Sequence, residues 1–484
     1  MNQVALEPKR VFDCFAAVNA IPRPSNKEEK MMAFLMDFGR KLGLETLQDE
    51  TGNILIRKPA TKGYENKAVT VVQSHMDMVC EKVAGLSFNF DTDPIQTEIE
   101  GEWMKAKGTT LGADDGIGVA MQMALLADPE AEHGPLECLF TRAEETSLGG
   151  ASGIRPGFMT GKYLLNLDSE DEGQIFISCA GGANTNATFD VTWQDAPEGS
   201  YFFRLSVKGL VGGHSGDDIE KKRANANLLL FRILLRLMQE CDMKLADVQS
   251  GGLHNAIPRD GSAVCCVPMA KKEEVRVLFN LLTADFENEY ATTEKSMEFY
   301  LETADPTPKV FSDDLTTRLV KAVIGLPNGI LAMSQDIDNF VETSSNLASI
   351  HLRDQKIYIE TMQRSNLTSK RLSAVDTIKS VFDLAGAKVD VNTGYPGWHL
   401  DPSSPLLGIA VDAYARLYGK EPAVKAIHAG LECGLFSEKY PEMDMISFGP
   451  TLRGVHSPDE RLHIPTVKMV WDHLLEILKN IPDA

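Results

Sequence analysis

Apolar positions in the first third of the chain alternate between two rhythms. Over 26–42 they recur at helical spacing, with Gly43 as a stop signal and Ser25 and Glu28 at capping-box spacing ahead of the run. Short apolar, β-branched runs follow at 53–56, 68–73, 136–141 and 163–167, with a helix predicted between them over 117–126. Strand and helix signals in this alternation predict an α/β layer: a mixed, largely parallel sheet covered by helices.

The middle of the chain has a different texture. Strands are predicted at 201–207, 262–267 and 298–301, with helices over 225–240 and 271–288. A similar succession follows, with helices at 314–324 and 369–385 around strands at 345–351 and 356–361. The end returns to the first style, with a helix over 405–418, a strand at 444–448 and a closing amphipathic helix over 465–480 that begins on Pro465. The expected organisation is one discontinuous domain, 1–186 with 399–484, interrupted by an inserted α+β lid domain, 187–398, built of two related halves.

Composition narrows the function classes. The 484 residues carry 48 basic and 69 acidic side chains, a formal net charge of −21. That charge argues against nucleic acid and anionic membrane surfaces as partners. No apolar run approaches the roughly 20 residues that span a bilayer, and the N-terminal residues lack a secretory pattern. The eight cysteines are scattered without a CxxC pair, which reads as free thiols in a cytoplasmic protein.

Candidate ligands cluster just after predicted strands, where open α/β sheets build their sites. His75 and Asp77 follow 68–73; Asp114 and Asp115 sit in LGADDGIG before a helix; Glu144 and Glu145 follow 136–141; Asp168 ends 163–167; His456 follows 444–448 across a loop. Two imidazoles with several carboxylates, and no thiolate, suit a catalytic zinc, cobalt or manganese centre. Two adjacent cations require a bridging carboxylate, and one Asp can supply it. Alternate residues of an extended chain share a face, so Asp77 can accept the second ring N–H of His75. The Glu144–Glu145 pair can divide metal binding from proton transfer. Taken singly, an HxD triplet or an acidic pair is more often surface or structure; the joint arrangement carries the reading.

Read together, QSHMDMV, GTTLGADDGIG, RAEETSLGG, NLDSEDEG, CAGG, KGLVGGHSG, NAIPR, YPGW, HAGLECG and GPTLRGVHSPDE resemble the aminoacyl-histidine dipeptidases. These are the Xaa-His dipeptidases or peptidase D, within the dinuclear zinc exopeptidases that include aminoacylases and carnosinases. The likeness runs from about Ile21 to the C-terminus. It implies two zinc ions, replaceable by cobalt or manganese, with His75 on one and His456 on the other. Asp114 would bridge them, Glu145 would bind one and Asp168 the other. Asp77 would orient His75, and Glu144 would activate a metal-bridging water as general acid/base. The inserted region would be a lid in which His214 stabilises the oxyanion while Asn255, Arg364 and Gly430 hold the substrate. A homodimer and a small peptide substrate follow from the same resemblance. Asp115 stands where closer relatives often have Asn, which leaves open which Asp of the pair ligates; the motif's phase favours Asp114. Two other readings remain: an amidase or deacylase of N-acyl amino acids on the same centre, and a non-catalytic peptide-binding relative.

Overall fold

The protein is seen in a computed structural model that describes residues 5–335, 337–399 and 403–484. It divides into two compact units. The first is Met1–Ser178, Trp398–Ala426 and Leu431–Ala484; the second is Cys179–Gly397 with Ile427–Gly430. The division therefore falls at 178/179 rather than the expected 186/187, and four residues near 430 join the second unit. The physical reason for the earlier boundary is Gly181–Asp190, a strand paired along its length with Lys356–Ser365 and Lys388–Tyr395.

The first unit is built on an eight-stranded mixed sheet. Its order is Glu45–Gln48, Ile54–Lys58, Leu136–Thr141, Thr70–His75, Tyr163–Asn166, Asp444–Ser447, Gln174–Cys179 and Ala423–Ile427. Leu136–Thr141, Thr70–His75, Tyr163–Asn166 and Asp444–Ser447 run parallel in the centre. All of Thr70–His75, Leu136–Thr141 and Tyr163–Asn166 is buried, as strands covered on both faces must be. The helices Lys9–Asn19, Ala113–Ala127, Pro405–Tyr418 and Ile464–Lys479 share its main apolar core. The helix Ala113–Ala127 is apolar almost all round, because nearly every residue in it is buried.

The second unit is built on a nine-stranded sheet, with two short two-stranded ladders besides, so the two α+β successions share a main layer and one large core. Its helices start where their caps say. The Asn225 side chain accepts from the N–H groups of Asn227 and Leu228 ahead of Ala226–Glu240, and Ser312 accepts from Leu315 ahead of Asp313–Gly325. The expected capping box at Ser25 and Glu28 is not made. The first-unit helix is Glu29–Lys41, with no side-chain cap, and both side chains are used elsewhere. Among the described residues no helix is long and apolar enough to cross a membrane. The eight cysteines are free thiols, six of them buried.

Candidate metal centre

The central parallel strands deliver the candidate ligands from their carboxyl ends. His75 is the last residue of Thr70–His75, one position inside the strand rather than after it. Glu144 and Glu145 open a one-turn helix, Glu144–Ser147, after Ala143 takes a left-handed φ of 50°. Asp168 lies two residues beyond Tyr163–Asn166, and His456 lies in the loop between Leu452–Arg453 and Arg461–His463.

Asp114 joins the set. Its Oδ1 lies 3.1 Å from His75 Nε2, and its Oδ2 lies 3.2 Å from His456 Nε2. Asp168 Oδ1 is 3.5 Å from the same His75 nitrogen, and Glu145 Oε2 is 2.9 Å from the same His456 nitrogen. Three triads thus place one ligand atom per residue within 4.8 Å of one another: His75–Asp114–Asp168, Asp114–Glu145–His456 and His75–Glu144–Glu145. Asp114 is common to two of them, one oxygen facing each imidazole. Both glutamates of the pair face His75, so they do not point fully apart as their adjacency suggests.

Asp115 turns away. It is buried, its Oδ1 accepts the N–H of Gly118 at 3.2 Å, and its other oxygen has no partner. A Cβ on Gly118 would meet that carboxyl at 2.3 Å, which explains the glycine. Of the pair, Asp114 faces the two imidazoles and Asp115 does not. Its loop is held from both sides: Glu460 accepts the N–H groups of Leu111, Gly112, Ala113 and Asp114, while Arg23 donates to the Gly112 carbonyl at 2.7 Å.

Asp77 is more than a partner of His75, whose Nδ1 lies 3.4 Å from its Oδ1. Its two oxygens also accept the N–H groups of Glu144 at 3.0 Å and Glu145 at 3.3 Å. One carboxylate thus ties the imidazole to the turn that bears the glutamates, and hydrogen bonds from His75, Ser25 and Glu144 keep it below its ordinary value despite burial.

A buried polar layer underlies the floor. Gln73 and Thr141 each donate to Glu432 at 2.6 Å; Asn166 donates to Gln73 at 2.6 Å; and Asn166 accepts from the Asp168 N–H at 3.3 Å. The other Glu432 oxygen has no partner. Burial pushes the Glu432 carboxyl up to about 8.

Electrostatically the cluster is over-supplied with acid. Burial raises Asp115, Glu144, Glu145 and Asp168 above the ordinary carboxylate range, with neighbouring carboxylates adding to each shift. Hydrogen bonds to Asp114 and Glu145 push His456 up to about 11. This is the signature of a donor set lacking positive charge. Imidazole nitrogens and carboxylate oxygens, with a buried Glu145 oxygen left unpaired, fit two divalent cations that share Asp114. On that fit, His75 and Asp168 would hold one ion and His456 and Glu145 the other.

The residues expected to hold substrate lie in the second unit. Arg364, 3% exposed, donates to the Tyr395 hydroxyl at 3.1 Å and lies 3.3 Å from His214 Nε2. The N–H groups of Gly216 and Asp217 lie 3.3 and 3.2 Å from His214 Nδ1, and the Asp217 carboxylate lies 3.5 Å from the same nitrogen. Gly430 lies against Tyr395, whose ring a Cβ there would meet at 2.7 Å. Asn255 precedes the two-residue strand Ala256–Ile257, and its carbonyl accepts from Ser215 N–H at 2.8 Å.

Sequence reasoning passed over Arg23, Ser25, Glu28, Glu432 and Glu460 as parts of the site. Glu432 and Glu460 stand inside quoted motifs, HAGLECG and HSPDE, and a glutamate amid apolar or glycine neighbours was the available signal.

Residues 71–480 match the model of peptidase family M20/M25/M40. The cytosol non-specific dipeptidase of Escherichia coli K12 is 41% identical over 477 residues, covering 99% of this chain and 98% of that protein. The crystal structure of an aminoacylhistidine dipeptidase from Vibrio alginolyticus superposes with a TM-score of 0.90 at 41% identity, over 99% of this chain and 98% of that one. The aminopeptidase PepT of Bacillus cereus shares the fold at 18% identity, with a TM-score of 0.62 over 98% and 99% of the two chains.

Proposed function

The chain belongs to peptidase family M20/M25/M40, and on that footing we propose that it hydrolyses dipeptides, Xaa-His and carnosine-like substrates among them, with two divalent cations. Zinc suits the donor set best, and cobalt or manganese would substitute. The observation that carries the reading is the Asp114 carboxylate, which offers one oxygen toward His75 and the other toward His456.

When bound, the two cations polarise the peptide carbonyl and make a water molecule acidic enough to act as nucleophile. Glu144, raised by burial and near-neighbour carboxylates, takes the proton from that water and returns it to the leaving amine. Asp77 holds the His75 ring and the N-terminus of the Glu144 turn in one frame. His214 donates a ring N–H to the carbonyl oxygen as it becomes negative. Arg364 forks onto the substrate carboxylate, with Asn255 and Gly430 completing the substrate contacts.

The test is a panel: carnosine, Ala-His, Leu-Ala and N-acetyl amino acids, assayed before chelation, after chelation and after zinc is restored. Cleavage of the dipeptides alone, abolished and then recovered, is the expected result. Turnover confined to the N-acetyl compounds would replace the reading with a deacylase. Dipeptide binding without cleavage by the zinc-loaded protein would replace it with a binding protein. The relative's cytosolic name and the free thiols support a cytoplasmic protein. A homodimer rests on the resemblance and is checked by light scattering.

A further inference from the structure

Residues 23–28, RPSNKE, lie ahead of the first-unit helix Glu29–Lys41 and do not cap it through a side chain. Instead each polar side chain of consequence reaches a different loop of the metal centre. Arg23, 1% exposed, donates to the carbonyls of Asp77 at 3.1 Å and Gly112 at 2.7 Å. The Ser25 hydroxyl donates to Asp77 Oδ2 at 2.7 Å. Glu28, fully buried, accepts the N–H of Ala143 at 2.9 Å and pairs with Arg142 at 2.8 Å. Asn26 donates to Thr146 Oγ1 at 3.1 Å, on the turn that carries Glu144 and Glu145. The fit is close on the other side as well. A Cβ at Gly112 or Gly116 would meet an Arg23 nitrogen at 2.5 or 2.6 Å, so the loop bearing Asp114 is shaped around this guanidinium.

One segment therefore binds the HMD loop, the LGADD loop and the RAEE turn. Burying an arginine and a glutamate is costly unless each finds partners. Here the partners include loop backbones beside His75, Asp114 and Glu144, along with the Asn19 and Arg142 side chains. Ser25 has the shortest route to the chemistry. Its hydroxyl fixes the carboxylate that faces His75 Nδ1 and accepts the N–H groups of Glu144 and Glu145.

We propose that segment 23–28 is a positioning element for hydrolysis, with Ser25 as its link: it fixes Asp77, and through Asp77 sets His75 and the Glu144 turn relative to each other. Arg23 and Glu28 hold the flanking loops in the same frame. The role rests on the dipeptidase reading for its kinetic consequence and on the side-chain geometry for its effect on bound metal.

The experiment compares the full chain with Ser25→Ala and Ser25→Thr. It measures kcat and KM on Ala-His, the visible spectrum of the cobalt-loaded proteins, and zinc affinity by chelator competition. In Ser25→Ala, kcat falls roughly tenfold or more while KM changes little, the usual consequence of removing a partner of a ligand's partner. The cobalt spectrum shifts, zinc affinity weakens, and Ser25→Thr recovers most of each change because it restores the hydroxyl. A Ser25→Ala protein with the parent's kcat and cobalt spectrum overturns the proposal. So does a loss that Ser25→Thr fails to restore. If the parent cleaves no dipeptide, the dipeptidase reading fails separately, and the spectra and zinc affinities still decide the positioning role.

Discussion

The two units carry side-chain clusters of different electrostatic character. In the first, Asp114, Glu144, Glu145 and Asp168 crowd around two imidazoles, and burial drives the last three carboxyls upward. In the second, Arg364 and the His214 ring bring donors together, and nearby His428 is buried, driven down to about 3 and bonded to Ser344 at 2.7 Å. The first cluster has acceptors in excess and calls for cations. The second gathers an arginine and two imidazoles around the Asp217 carboxylate, and its N–H groups suit an anion or a carbonyl oxygen gaining charge. A dipeptide hydrolysed by metals has need of both kinds of group. The contrast teaches that a site's missing component can be inferred from the sign of what its own side chains leave uncompensated.

That contrast can be broken, and the most damaging change is to Asp114. Asp114→Ala removes the carboxylate shared by the two imidazoles, so zinc bound per chain falls on metal analysis. Activity falls by about four orders of magnitude or more, since both metal sites and the nucleophile depend on it. Glu144→Gln separates binding from chemistry. Both metals stay, and kcat falls roughly 10²- to 10⁴-fold, the range for a lost general acid/base. Substantial residual turnover would remove Glu144 from its role.

Arg364→Met tests the other face. Zinc affinity is unchanged, while KM for Ala-His rises by roughly 10- to 100-fold, the scale of losing a charged hydrogen bond of about 1.5–3 kcal/mol. Equal losses of metal and substrate affinity would show that the two faces are not separate in function.

The smallest effect concerns Glu432, buried beneath the first face and held up at about 8 against an ordinary 4.5. Between those values the folded chain keeps a proton that the unfolded chain has released. Stability of the metal-free protein therefore falls as pH rises from 4.5 to about 8, then levels off. Glu432→Gln removes that part of the slope, read as urea midpoints for the two metal-free proteins across this window.

Much of this was legible in the sequence, and the legible parts share a cause. The strands Thr70–His75, Leu136–Thr141 and Tyr163–Asn166 are rich in apolar residues, and a candidate ligand ends the first and follows the other two within three residues, so strand and site were announced together. The helices expected over 225–240, 314–324 and 405–418 form as Ala226–Glu240, Asp313–Gly325 and Pro405–Tyr418, each starting within a residue of its expected position. Gly181–Asp190 was invisible because its buried positions are glycine, alanine and threonine until Phe189, too weak an apolar alternation to read, and the domain boundary moved with it. Ser25 and Glu28 fitted a local rule, the capping box, and the tertiary structure spent them on partners 52 and 115 residues away. Local spacing cannot distinguish those uses, because the competing acceptors and donors come from loops remote in the chain.

Crystals grown with zinc and measured at its absorption edge would settle whether the five side chains hold a metal pair. The expected result is two anomalous peaks about 3.5–4 Å apart, one on each side of Asp114, with His75 and Asp168 at one and His456 and Glu145 at the other. A map with no peak between those side chains, in crystals of active zinc-loaded protein, would contradict the account.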